Sequence, residues 1–217
     1  MRYRFTSYHP ASDAEAAVTD GTRLGGQPHW LAEPQWPVNP YENELASFMG
    51  QFRVAAADGD RMVYLFDIGF SGEHATVVQP GGRVTESFET RAAATGPTDL
   101  DRVHLLRVAE EVDFSDVERE LEPAEDEDED DREERLEELL RERQKDAAGS
   151  IRMNQLGGPD VLPVWLQGDD LPGEGWQLVA QLDSCQLPFE VNFGDTGVGY
   201  LFLSPDGKNA EFFFQSC

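Results

Sequence analysis

The sequence predicts a mixed α+β fold that is mostly β, with two related halves in one globular domain over residues 1–217. Three observations predict it: a motif that occurs twice, apolar runs of strand length, and an acidic segment between the two copies. The halves are expected at about 23–66 and 155–202, with an acidic, partly disordered loop and helix insertion at about 110–146. Apolar residues make up 39% of the chain, which is enough for a sizeable core.

The duplication consists of a Gly-Gly turn, an apolar strand centred on a glutamine, and a Tyr-Leu-Phe run, repeated in the same order. The paired landmarks are Gly25-Gly26 and Gly157-Gly158, Gln51 and Gln181, and Tyr64–Phe66 and Tyr200–Phe202. Their offsets of 132, 130 and 136 residues are nearly constant. We therefore expect one supersecondary unit to occur twice, with the glycines allowing a tight bend before each sheet.

The other strands follow from short apolar runs that end at turn residues. Ala75–Gln79 ends at a Pro-Gly-Gly turn and is predicted to be a strand. Arg102–Val108 has the alternation of a strand, although its leucines could also form one face of a short helix; the strand is the preferred interpretation. Tyr200–Leu203 and Phe212–Phe214 flank the turn Ser204–Gly207, which predicts a C-terminal hairpin buried on both faces.

The acidic segment at residues 110–143 carries nineteen Asp and Glu against five Arg, which is −14 of the net charge of −26. Like charges at this density repel one another, so residues 122–131 are expected to be disordered or an exposed loop. Residues 132–145 are better suited to a helix, because Glu137 precedes Arg141 by four positions and leucines share one face.

The negative charge constrains the class of partner. It would repel a phosphate backbone and an anionic membrane, so neither nucleic acid nor membrane is expected as a partner. It would attract a basic protein, although solubility alone also explains such acidity. The candidate partner-binding surface consists of Glu125, Asp126, Glu127, Asp128, Glu129, Asp130 and Asp131. The chain has no apolar run of membrane-spanning length and no signal-peptide pattern at its start, which predicts a cytoplasmic protein.

Several motifs resemble the YwqG-like family of bacterial proteins. They are Asn154–Gly158, Pro163–Gly168, Trp176–Ser184, Asn192–Tyr200 and the ending Phe212–Cys217, with Arg23–Pro28 as the N-terminal counterpart. The ending departs from the family pattern, with Ser216 inserted and Phe214 in place of Trp. The resemblance implies a mostly β fold with two related halves and no established activity. Members of that family are often found near bacterial toxin systems and have been proposed as immunity proteins.

No catalytic, cofactor-binding or metal-binding residue is predicted. The four histidines are scattered without the spacing of a zinc or iron site. Gly194–Gly199 reads GxxGxG and precedes a strand, whereas a dinucleotide site needs a helix there. Cys185 and Cys217 have no base visible in the sequence, and two lone thiols are the simpler interpretation, with a disulfide between them left open.

The two strand glutamines are the most informative polar residues, because a buried amide must be hydrogen-bonded. They either tie each Gly-Gly turn to its sheet or line a cleft between the halves. The candidate cleft comprises Trp30, Gln51, Trp165, Gln181, Asn192 and Asp195. Two functions follow: a non-catalytic interaction protein, immunity- or antitoxin-like, that engages a basic partner, or a small-molecule or peptide binder, possibly a hydrolase, that uses the cleft.

Overall fold

The computed structural model describes most of the chain. The described residues are 2–12, 15, 21–56, 58–69, 72–85, 88–98, 100, 102–113, 129–145, 152–158, 160–164, 166 and 172–216.

Strands dominate the described part of the chain, which has a single α-helix. The elements are β1 (Arg2–Pro10), β2 (Arg23–Leu24), β3 (Trp36–Asn39), β4 (Glu44–Leu45), β5 (Ser47–Val54), β6 (Arg61–Asp67), β7 (His74–Gln79), β8 (Thr90–Arg91), β9 (His104–Asp113), α1 (Glu129–Arg143), β10 (Gln155–Leu156), β11 (Gln177–Asp183), β12 (Val198–Leu203) and β13 (Ala210–Gln215). The strands predicted at 75–79, 102–108, 200–203 and 212–214 are all present.

Ten of these strands form one antiparallel sheet in the order β13-β12-β11-β10-β1-β9-β2-β5-β6-β7. The two outermost strands approach each other, so the sheet is nearly closed and barrel-like. At the seam, the hydroxyl of Thr76 donates to the carbonyl of Ala210 at 2.6 Å, and the amide of Arg83 donates to the carbonyl of Lys208 at 2.7 Å. β3, β4 and β8 form a separate three-stranded sheet.

The strand order is symmetric about the central β1–β9 pair, and the hydrogen-bond register repeats on both sides. Leu24 pairs with Gly50 in β2–β5, as Leu156 pairs with Ala180 in β10–β11. Gln51 then pairs with Tyr64 across β5–β6, as Gln181 pairs with Tyr200 across β11–β12. A register shift interrupts both hairpins at the same place, between Phe48 and Gly50 and between Leu178 and Ala180. The repeated landmarks therefore occupy equivalent positions in the two halves of the sheet.

The buried apolar residues form one cluster shared by the two halves and two clusters that belong to one half each. The shared cluster joins Phe52, Val63 and Leu65 of the first half to Leu182 and Leu201 of the second. Trp36, Phe48, Tyr64 and Phe66 lead the cluster of the first half, and Tyr3, Phe5, Tyr200 and Phe202 lead that of the second. Because β6 and β12 contribute to a shared and a separate cluster, their side chains are buried on both faces.

The predicted mixed α+β class with a helical insertion is wrong, because the described structure is nearly all β. The prediction placed a loop and a helix in the acidic insertion at about 110–146. A sheet that closes on itself buries its own inner face, and no helical layer is then required. Helix α1 overlaps the predicted helix at residues 132–145, but Leu139 is its only described side chain that packs against a core cluster.

The acidic insertion is described only in part. Residues 114–128, which include most of the segment predicted to be disordered, lie outside the described residues. After α1 the chain returns to the sheet through Arg152, whose amide donates to the carbonyl of Gln144 at 2.8 Å. The Arg152 guanidinium also lies 4.0 Å from the centre of the Phe5 ring. Among the described residues, no helix is long and apolar enough to cross a membrane.

Candidate functional site

The antiparallel pairing defines two ends of the main sheet. β1, β6 and β11 finish at the end where β5, β7, β9 and β12 begin, and we call this the upper end. The opposite end, where β5 finishes and β6 and β11 begin, is the lower end. Polar residues that are distant in sequence therefore meet wherever their strands share an end.

In the first half, Gln51 and Tyr64 hold the segment that follows the Gly-Gly turn. The Gln51 side chain, fully buried, accepts from the amide of His29 at 2.8 Å and donates to the carbonyl of Gly21 at 3.0 Å. The Tyr64 hydroxyl donates to the carbonyl of His29 at 2.6 Å and accepts from the amide of Leu31 at 3.0 Å. Burial raises the pKa of Tyr64 to about 12, so its hydroxyl keeps its proton.

The second half repeats this arrangement with its own glutamine and tyrosine. The amide of Val164 donates to Oε1 of Gln181 at 2.8 Å, and the Tyr200 hydroxyl donates to the carbonyl of Val164 at 3.1 Å. Nε2 of Gln155 also donates to Oε1 of Gln181, at 3.3 Å. Among the described residues, Nε2 of Gln181 has no hydrogen-bond acceptor, which distinguishes it from Nε2 of Gln51.

These contacts correspond to the structural interpretation of the two glutamines, and the structure does not bring the two residues into one cleft. Gln51 lies beside Tyr64 and the cluster of the first half, whereas Gln181 lies beside Tyr200 and the cluster of the second. Trp30 packs on Tyr64, with ring centres 4.7 Å apart, and its indole N–H donates to the carbonyl of Ala94.

Of the other candidate cleft residues, Trp165 lies outside the described residues. Asp195 is exposed in the turn before β12 and lines none of the cavities below. Asn192 does line a cavity, and its side-chain oxygen accepts from the amide of Gly194 at 3.1 Å. Among the described cleft candidates, Asn192 is thus the one found at a cavity formed by both halves.

That cavity, the inner cavity, lies at the upper end and has a volume of about 220 Å³. The first half contributes Met49, Asp67, His74 and Leu100, and the second contributes the loop from Glu190 to Phe193. Two carboxylates, one imidazole and one amide thus face a wall of apolar side chains.

Two grooves that are more open than the inner cavity adjoin it. The first, of about 530 Å³, shares Asp67 with it and is lined by Tyr41, Glu42 and Glu44. The second, of about 780 Å³, shares Glu190 and Asn192 with it and follows the loop from Ser184. Among the described residues that line these three spaces, none is lysine or arginine. We call the three together the acidic groove.

His74 is the only histidine described in the lining of the acidic groove. Its ring packs against Phe212, with centres 4.5 Å apart, and lies within about 6 Å of Phe193 and Phe214. Burial lowers the pKa of His74, and the nearby Asp67 carboxylate opposes this effect only partly. At neutral pH the imidazole is therefore uncharged, and the acidic groove keeps its negative charge.

Ser47, Asp67 and His74 form a row across three adjacent strands, because Ser47 pairs with Asp67 and Asp67 pairs with His74. The row contains the residue types of a hydrolytic triad in a different spatial order. In a triad the imidazole lies between the hydroxyl and the carboxylate, so that it can remove the hydroxyl proton. Here the carboxylate occupies the middle position, and Nδ1 of His74 contacts the carbonyl of Gly72 at 3.1 Å. The spatial order of these three residues therefore does not favour acyl-transfer chemistry.

The lower end differs in charge. A cavity of about 330 Å³ is lined there by Arg4 and Arg53, together with Asp60 and the Gly157-Gly158 turn. Both arginines already have carboxylate partners: Nη2 of Arg53 lies 2.5 Å from Asp60, and Nε of Arg4 lies 3.3 Å from Glu111. This cavity is therefore close to neutral, in contrast to the acidic groove.

The predicted acidic surface is separate from the groove in sequence. Its residues 125–128 lie outside the described residues. Glu129 and Asp130 begin α1, and Asp131 is exposed on that helix. Cys185 has an exposed thiol that forms no disulfide, and Cys217 lies outside the described residues. Among the described residues, no group of three or more His, Cys, Asp or Glu side chains is arranged to hold a metal ion.

Sequence reasoning missed most of the acidic groove. Its main residues are Tyr41, Glu42, Glu44, Asp67, His74 and Glu190. A signal was present, because Asp67 directly follows the Tyr-Leu-Phe run and His74 directly precedes the next predicted strand. Consecutive antiparallel strands place those two positions at the same end of a sheet. No protein-family model matches the chain, and no curated protein matches it in sequence.

Proposed function

We propose that the protein is a non-catalytic binding protein that engages a basic segment of a partner protein through the acidic groove. The observation that carries this proposal is the composition of the groove: four carboxylates, those of Glu42, Glu44, Asp67 and Glu190, and no lysine or arginine among its described lining residues. A cationic segment is the ligand class that such a surface attracts.

Tyr41 supports this function because it is a large, exposed side chain on the rim of the acidic groove. Its relative exposure is 68%, and its hydroxyl donates to the Glu73 carboxylate at 3.0 Å. Exposed tyrosines of this kind are enriched at protein interfaces, where the ring supplies contact area and the hydroxyl stays hydrated. The acidic segment at residues 110–143 would steer the same partner from a distance. An immunity- or antitoxin-like role is the form of this proposal that the YwqG-like resemblance suggests.

The alternative, a small-molecule or peptide binder and possibly a hydrolase, has one observation in its favour. Both halves line one cavity, and Trp30 is not among its described lining residues. Its volume of about 220 Å³ is smaller than the roughly 300–1,000 Å³ of sites for drug-sized ligands. The inner cavity is therefore better suited to one side chain of a larger partner.

The test uses stopped-flow association of a fluorescein-labelled nona-lysine peptide at low and high salt. Replacing Glu42, Glu44 and Glu190 with Gln should weaken binding about tenfold, because each exposed charge pair contributes roughly 0.2–1 kcal/mol. Neutralising residues 125–131 should slow association and leave dissociation nearly unchanged, because charges that act by steering change mainly the rate of encounter. Binding that ignores salt and both sets of substitutions would overturn the proposal.

A further inference from the structure

The inner cavity is less open than the rest of the acidic groove, and its walls combine carboxylates with apolar side chains. We propose that it is an anchor pocket for one arginine side chain of the basic partner, with Asp67 and Glu190 as the acceptors of its guanidinium. This inference rests on the proposed function, and it adds the residue type that the partner must carry.

The walls of the inner cavity match the two parts of an arginine side chain. Met49 and Leu100 present aliphatic surface, which suits the methylene stem. Asp67 and Glu190, from opposite halves of the chain, supply carboxylate oxygens, the acceptors that a guanidinium fork binds best. Asn192 offers only a neutral amide oxygen, which accepts from the amide of Gly194, whereas hydrogen bonds from a guanidinium to a charged carboxylate are stronger, so the two carboxylates are the principal acceptors.

The chemistry of the two acceptors favours arginine over lysine at this position. Asp67 and Glu190 are carboxylates, and the Phe193 ring beside them is fully buried against His74, Phe212 and Phe214. A planar guanidinium presents a fork of N–H donors that matches carboxylates, whereas an ammonium group is a compact and strongly hydrated charge. Because burial keeps His74 uncharged at neutral pH, its imidazole does not repel an incoming cation.

The pocket can form only when the two halves are joined, because neither half supplies both carboxylates. Asp67 ends β6 in the first half, and Glu190 belongs to the loop between β11 and β12 in the second. The closed sheet brings these positions to the same end. A partner arginine would thus contact both halves at once.

The experiment measures the binding of fluorescein-labelled nona-arginine and nona-lysine peptides by fluorescence anisotropy. We expect the native protein to bind nona-arginine about fivefold more tightly than nona-lysine. The double variant Asp67→Asn/Glu190→Gln should lose this preference. The turn after β6 should survive the first substitution, because Oδ1 of Asp67 accepts from the amide of Gly69 at 2.8 Å and an asparagine side-chain oxygen can accept the same bond.

A charge-matched control is Asp160→Asn/Glu174→Gln. It removes two exposed carboxylates that line none of the described cavities, so the preference for nona-arginine should remain.

The outcomes separate this inference from the proposed function. If both peptides bind in a salt-sensitive manner but the arginine preference is absent, or survives in the double variant, the anchor pocket is wrong and the proposed function stands. If neither peptide binds, both are wrong. Competition by agmatine, which carries the guanidinium and stem of one arginine, should reduce nona-arginine binding to the native protein and not to the double variant.

Discussion

The two halves of the molecule share one backbone register and differ in how well their buried polar groups are satisfied. In the first half, both ends of the Gln51 amide are hydrogen-bonded, whereas in the second half Nε2 of Gln181 has no acceptor among the described residues. The Gly-Gly turns also differ: Gly25 and Gly26 both have φ of 75°, while Gly158 has φ of 156°. The comparison indicates that the duplication preserved the sheet and the glutamine–tyrosine pair, and left the connecting segments free to diverge.

The connecting segments of each half contribute different residues to the acidic groove. The first half contributes the turn that carries Tyr41 and Glu42, and the second contributes the loop that carries Glu190. The repeated scaffold therefore positions two unlike loops at one end. Three sets of substitutions test how far the equivalence of the halves extends.

The largest effect is expected at the second Gly-Gly turn. A Cβ atom on Gly157 would lie 1.6 Å from the carbonyl oxygen of Leu178, which belongs to the backbone of β11 and cannot move aside. Gly157→Ala should therefore lower the free energy of unfolding by about 3 kcal/mol or more, as severe overpacking does. Urea denaturation followed by circular dichroism measures this change.

Gly21→Ala is the matched control, because a Cβ atom at that position meets nothing within 4 Å. It should change the stability by less than about 1 kcal/mol. Equal stability of the two variants would show that β10 and β11 do not approach as closely as described. In the first half, Gly25→Ala should also be costly, since its Cβ would lie 2.4 Å from the carbonyl oxygen of Arg102.

The second-largest effect is expected at the two glutamines, which can be compared directly. Gln51→Leu leaves the amide of His29 and the carbonyl of Gly21 without partners, which should cost about 2–4 kcal/mol. Gln181→Leu leaves the amide of Val164 without its acceptor but also removes a buried NH₂ group that lacks a partner among the described residues. We expect Gln181→Leu to cost about 1 kcal/mol less than Gln51→Leu. The reverse order in chemical denaturation would contradict the difference between the halves.

The smallest effect concerns His74, where the halves meet. Burial lowers its pKa in the folded state, so below the unfolded value of about 6.5 the unfolded chain binds more protons. The contribution of His74 to stability is therefore complete above about pH 6.5 and is lost as the pH falls through the folded pKa.

We expect the stability advantage of the native protein over His74→Gln to shrink by up to about 1 kcal/mol between pH 7 and pH 5. Comparing the two proteins removes the common effect of the net charge, which changes over the same range. Paired thermal unfolding curves at several pH values give this difference. An advantage that stays constant with pH would mean that His74 is as hydrated in the folded protein as in the unfolded chain.

The sequence by itself determined the duplication, the positions of most long strands and the burial of β12 on both faces. These properties depend on local residue patterns, such as the uninterrupted apolar run of Tyr200–Leu203 and the repeated glutamine and tyrosine. The sequence also favoured a strand over a short helix for residues 102–108, because apolar and polar residues alternate there, and the structure has a strand at His104–Asp113.

Only the tertiary structure decided the fold class and the location of the groove. Closure of this sheet depends on its curvature and on the approach of β7 to β13. These two strands are separated by more than 130 residues, so a local sequence pattern cannot predict that they approach each other. The placement of Asp67 and Glu190 at one cavity depends on the same closure. The two glutamines point toward separate clusters because successive side chains alternate across a strand, and the closed sheet keeps those clusters apart.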